Sequence, residues 1–216
     1  MKFTDSHCHL DFPELQNDIA SLLAQCQAQN IHRLIVPAVS PSNWSTVLAS
    51  CTSHQTSCQL LPCLGIHPWY LQTLNASHLE QLSAEIQQHQ NIIIAIGETG
   101  VDGVIAKEHD NLSQQQWFFE YHISLAKQFS KPLIVHHRRS HQAVIETLKH
   151  TNYTGGGIIH AFSGSYQQGK TYIDMGFKLG IGGTITYPRA EKFHFSRILW
   201  RFHHLKKQAD VVHVEC

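Results

Sequence analysis

The 216-residue chain has no excess of charge of either sign, because sixteen Lys and Arg balance sixteen Asp and Glu. No global field draws it to nucleic acid or to an acidic membrane, so an anionic ligand must be held by local groups. It has no run of about eighteen apolar residues either, which excludes a spanning helix. The opening MKFTDSHCHLDF has neither a charged n-region with an apolar h-region behind it nor a cleavage site, and a cytoplasmic location is expected. The six cysteines, Cys8, Cys26, Cys51, Cys58, Cys63 and Cys216, show no C-x-x-C spacing, and a chain this long folds without disulfides. Cys58 and Cys63 flank a strand-like run, which favours burial over metal ligation. No linker or low-complexity tract interrupts the sequence, so a single domain over residues 1–216 is expected. With 42% hydrophobic and 15% charged residues, the chain reads as globular rather than disordered.

What is present is a rhythm. Apolar, β-branched runs at 2–7, 33–38, 60–67, 92–98, 132–137, 157–162, 177–183 and 211–216 predict eight strands. Helical spacing appears between them at 15–29, 77–90, 112–129 and 139–150, with Ser113 and Gln116 in a capping-box pattern. Strands this apolar are covered on both faces, which requires a parallel sheet. Eight of them alternating with helices predict an α/β fold, a TIM-type (β/α)8 barrel.

Such a barrel carries its chemistry where strands end at the C-terminal face. His7 and His9 end the first predicted strand, His67 the third, Glu98 the fourth, His136 the fifth, and His160 lies in the sixth. A lone His-x-His pair is weak evidence in a chain with 18 His, since about one or two such pairs arise by chance. Candidate ligands at five strand ends form a different pattern. Neutral imidazoles suit divalent cations, and a carboxylate with two oxygens can bridge a pair of them about 3.5–4 Å apart. Glu98 is the natural bridge, and a water polarised by such a pair attacks phosphoesters or amides at neutral pH.

The segments TDSHCHLDF, GIHPW, AIGETGVD, PLIVHHRRS, IIHAFSGS and GIGGTITYPRA occur in the order of the motifs of the TatD family of metal-dependent hydrolases, within the amidohydrolase superfamily. The chain resembles that family along its whole length, and its YjjV-like branch most. The resemblance implies that His7 and His9 hold a first metal, that Glu98 bridges, and that His136 and His160 hold a second. It also implies two divalent ions (Zn, Mn, Mg or Ni), with DNA phosphodiester as the substrate. An amidase or lactonase remains an alternative, because one metal pair serves many leaving groups.

One departure from the family stands out. Relatives carry an Asp near the end of strand eight, where this chain reads VVHVEC. Glu215 shares the face of the missing position, one pleat repeat deeper, roughly 6–7 Å back along the strand. A metal-binding but catalytically impaired or vestigial barrel is therefore a second expectation. The final helix is missing too, so the barrel reads as truncated after strand eight. Val212 and Val214 would then be left uncovered, inviting self-association.

For substrate contacts, Arg138 and Arg189 are candidates to grip phosphate, and His67 to touch substrate. Arg138 has an alternative partner in Asp102, and His67 an alternative packing role. Asp5 and Asp11 flank the ligand pair as second acceptors, with Asp11 equally able to cap the first helix. In 189–209, Phe195, Ile198, Leu199, Phe202 and Leu205 recur at helical spacing. That predicts a helix against the barrel wall, with its basic residues solvated rather than bound to DNA.

Overall fold

A computed structural model describes residues 2–12, 15, 18–53 and 58–182, and the backbone of 213–214. Eight strands form one sheet in the sequential order β1 to β8: Phe3–Asp5, Ile31–Pro37, Gln59–Leu64, Ala95–Asp102, Leu133–Arg138, Gly157–Ile159, Phe177–Ile181 and His213–Val214. Every neighbouring pair is parallel. The sheet curls until Cα atoms of β8 come within 8 Å of β1, which is the predicted barrel.

Seven α-helices are described: α1 Ile19–Ala28, α2 Trp44–Ser53, α3 Ala76–His89, α4 Gly103–His109, α5 Leu112–Gln128, α6 His141–His150 and α7 Tyr166–Asp174. The predicted helices correspond to α1, α3, α5 and α6. Among the described residues, none is long and apolar enough to cross a membrane. Capping explains several starts. Asn75 with His78 boxes α3 and Ser165 with Gln168 boxes α7, while the Asp102 side chain accepts from the amides of Val104 and Ile105 at α4. The expected Ser113/Gln116 box is not formed, because Asn111 is the cap residue and Ser113 already lies inside the first turn.

The apolar side chains separate into two cores. Ile35, Cys63, Ala95, Ile134 and Ile158, from five consecutive strands, fill the barrel interior. The larger cluster, including Leu34, Val36, Leu64, Phe118, Phe119 and Tyr172, packs the helices on the outside. Cys58 and Cys63 are both buried and unpaired in disulfides, as packing residues should be.

Strand four differs from its prediction. It starts at Ala95 and continues past Glu98 to Asp102, entirely buried, so Glu98 lies within the strand and does not end it. Glycine makes the extension feasible. Gly100 pairs with His136 at φ +140°, and a Cβ there would sit 2.1 Å from the His136 carbonyl oxygen. Strand one is shorter than expected, and His7 and His9 lie in the irregular segment behind it. Arg189, the segment 189–209, Val212 and Glu215 lie outside the described residues, as does the side chain of Val214.

One buried imidazole ties the helical shell to the active face. His122 of α5 donates from Nδ1 to the Phe118 carbonyl at 2.7 Å and accepts the Ile66 amide on Nε2 at 2.9 Å. Burial pushes its pKa down from 6.5 to about 4, against the opposing hydrogen bond to Phe118. The unfolded chain therefore takes up this proton first. The stabilisation is complete above the ordinary His range and is lost as pH falls from about 6.5 toward 4. At pH 5 the expected loss from this group is about 2 kcal/mol relative to pH 7. Urea denaturation of the natural protein and of His122→Gln at both pH values checks this. The variant should lose less stability than the parent between them, and parallel losses would contradict the assignment.

Candidate metal centre

The site is built around Glu98. This carboxylate is 2% exposed and each of its oxygens faces two imidazoles. Oε2 lies 3.1 Å from His7 Nε2 and 3.4 Å from His9 Nε2, while Oε1 lies 3.2 Å from His136 Nδ1 and 3.5 Å from His67 Nε2. Residues from the ends of β1, β3 and β5 thus converge on one side chain of β4.

Hydrogen bonding outside the cluster fixes which ring nitrogens face inward with lone pairs. His9 Nδ1 is 3.2 Å from the Pro37 carbonyl, which only accepts, so Nδ1 carries the proton and Nε2 turns a lone pair to the cluster. His136 Nε2 is 3.1 Å from Asp102 Oδ2 and donates to it, leaving the Nδ1 lone pair toward Glu98. His67 is the reverse case. Its Nδ1 accepts the Trp69 amide at 3.1 Å, so the proton sits on Nε2, aimed at Glu98. His67 groups geometrically with Glu98 and His136 as a metal-capable trio, yet ligation through Nε2 would require surrendering this cap on the short 3-10 helix Pro68–Thr73. We therefore read His67 as a hydrogen-bond donor at the site.

His160 follows β6, with its amide bonded to the Val135 carbonyl at 2.9 Å. Its ring stacks on His7 at 3.5 Å, and His7, Glu98 and His160 each offer a ligand atom within 4.8 Å of the others. The structure thus places His160 beside His7, whereas the family resemblance implies a pairing with His136. All five expected ligands, His7, His9, Glu98, His136 and His160, nevertheless lie in one cluster.

Electrostatics suit a cation. Burial raises the cost of charge on Glu98, but the surrounding imidazoles outweigh it and hold the carboxyl well below its usual range. Asp102 is likewise held low despite burial, by hydrogen bonds from His136, Trp69 and the Ile105 amide. Burial drives His7 down to about 4, against Glu98. His9 and His136 are raised, because their carboxylate partners overcome burial. Two buried carboxylates lie among rings that turn lone pairs inward, and a cation would balance their negative charge. The Nε2 atoms of His7 and His9 are 3.0 Å apart, and His9 has no proton there. The buried His7 Nδ1 has no hydrogen-bond partner. A divalent cation fits this donor set.

Asp102 is the residue that sequence reasoning undervalued, treating it only as a partner for Arg138. Its Oδ2 accepts from Trp69 Nε1 at 2.7 Å and from His136, and Arg138 Nη1 stands 4.0 Å away, half exposed. A signal existed, because residues 98, 100 and 102 of one strand share a face. Asp5 accepts the His7 amide at 3.0 Å. Asp11 bonds the Asn43 side chain at 2.6 Å, and the residue at the start of α1 is Asp18. His137 points away from the cluster, with its ring against His141.

Asp102→Asn keeps the shape that caps α4 while weakening the acceptor for His136. Loss of such an orienting carboxylate typically costs 10–100-fold in metal affinity. Calorimetric titration with Zn²⁺ or Mn²⁺ is expected to show that loss, with the melting temperature of the metal-free protein changing little.

Sequence and fold comparisons identify the family. The TatD related DNase family profile matches residues 4–201. The chain is 36% identical over 191 residues to the uncharacterized metal-dependent hydrolase YjjV of Escherichia coli K12, covering 88% of this chain and 72% of that protein. It is 32% identical to an uncharacterized metal-dependent hydrolase of Haemophilus influenzae, covering 89% and 74% respectively. The crystal structure of the E. coli YjjV protein, a TatD homologue, superposes with a TM-score of 0.79 over 87% of this chain and 71% of that one. A TatD family hydrolase from Entamoeba histolytica, only 18% identical, shares the fold with a TM-score of 0.80 over 100% of this chain and 73% of its own. A Glu98-centred histidine cluster at the face of a parallel barrel, together with these matches, shows that the chain belongs to the TatD-related DNase family of metal-dependent hydrolases.

Proposed function

We propose that the protein hydrolyses phosphodiester bonds in DNA with two divalent cations. His7, His9 and His160 would hold one with Glu98, and His136 the other with Glu98. The observation that carries this reading is the division of Glu98, with each oxygen shared between imidazoles on a different side of the cluster. The DNA substrate is supported by the family's name, and an acidic polymer also suits a site that holds cations.

When bound, the cations supply Lewis acidity, lowering the proton affinity of the attacking water and neutralising charge on the phosphate. The chain's own groups do the rest. Glu98 stays ionised because four imidazoles surround it. Asp102 holds the proton of His136 on Nε2 and so keeps Nδ1 directed inward. His67 Nε2–H, only loosely engaged with Glu98 at 3.5 Å, can turn to donate to a non-bridging phosphate oxygen. Arg138, half exposed beside Asp102, offers a guanidinium fork to a neighbouring phosphate.

A second reading is a metal-binding barrel of impaired activity. On that reading the protein binds metal but turns over slowly. Metal per chain and Mn²⁺-dependent cleavage of a DNA oligonucleotide separate the two, with Glu98→Gln as the control. The expected result is bound metal in the natural protein and a rate at least 10²-fold above the variant. Metal binding with equal background cleavage in both would favour the impaired barrel. Faster hydrolysis of amide or lactone substrates would replace DNA as the substrate class.

A further inference from the structure

Trp69 is 51% exposed at the rim of the site, beside His67. An indole in that position costs hydration free energy unless something covers it. Trp69 is also fixed. Its Nε1 donates to buried Asp102 at 2.7 Å, its amide donates to His67 Nδ1, and its ring stands edge-on to His67 at 5.3 Å. A rigid plane anchored at its polar edge, with an open face, is what base stacking requires.

The neighbours identify the ligand. Trp69 Nε1, His136 Nε2 and Arg138 Nη1 all address the same atom, Asp102 Oδ2, at 2.7, 3.1 and 4.0 Å. One buried carboxylate thus aligns an aromatic plane, an exposed guanidinium and a candidate metal ligand side by side. The plane matches a nucleobase, the guanidinium matches a phosphate, and the metal ligand lies next to the bond to be cut. Tyr70, 44% exposed and 6.2 Å from His67, extends the aromatic surface.

We propose that Trp69 and Arg138 form a nucleotide-docking ledge on Asp102, with a nucleobase stacked on the indole and its phosphate held by the guanidinium. The proposal rests on the phosphodiesterase reading and deepens it by naming the subsite that recognises the base. Arg138 alone would hold any phosphate, whereas Trp69 makes binding depend on the presence of a base.

The test compares a fluorescein-labelled oligonucleotide with its counterpart carrying abasic tetrahydrofuran residues, using anisotropy to obtain Kd under non-cleaving conditions. In the natural protein the abasic strand should bind about 5- to 150-fold more weakly, the range for loss of base–aromatic stacking. In Trp69→Leu this ratio should fall toward one, and in Trp69→Phe it should persist. Both variants lose the indole N–H to Asp102, so any effect transmitted through His136 is common to them and leaves their difference to the ring. An unchanged ratio in Trp69→Leu overturns the ledge, as does equal collapse in both variants or failure of the natural protein to bind either strand. Failure of the phosphodiesterase reading looks different. It gives no cleavage of either oligonucleotide, with the Trp69-dependent binding ratio intact.

Discussion

A buried carboxylate cannot remain ionised in an apolar interior without partners, and the placement of Glu98 turns that constraint into a site. Its two oxygens are met by rings delivered from three other strand ends. Each ring is oriented by a bond on its far side: His9 by the Pro37 carbonyl, His136 by Asp102, and His67 by the Trp69 amide. If Glu98 became neutral, the reason for those rings to converge would vanish. If the rings were displaced, the charge would become untenable. Both outcomes depend on the barrel holding β1, β3 and β5 at fixed distance from β4. The interior layer of Ile35, Cys63, Ala95, Ile134 and Ile158 beneath the cluster provides that rigidity.

The fold was readable in the sequence because parallel strands covered on both faces give continuous apolar runs, and such runs mark all eight strands in order. The candidate ligands were readable for the same reason, since polar residues closing apolar runs have few structural excuses. The errors have physical causes. Strand four was cut short at Glu98 because GETGVD does not look like a strand, yet Gly100 lets β4 and β5 approach closely enough to keep pairing. Helices α4 and α7 have only seven and nine residues, and α4 begins directly after the last residue of β4, so periodicity had little length in which to show.

Tautomers and orienting bonds were not readable at all. That His67 caps its own helix while His136 leans on Asp102 depends on distances between elements far apart in the chain. The companionship of His160 with His7 is equally a property of the curled sheet, set by where β6 ends relative to β1.

Asp102 answers to two masters at once. One oxygen finishes a helix through the amides of Val104 and Ile105, and the other disciplines an imidazole, an indole and a guanidinium. A longer glutamate could reach the imidazole only by abandoning the amides, and an alanine would abandon everything. Architecture and chemistry thus draw on the same atoms, and only a side chain of this one length can serve both.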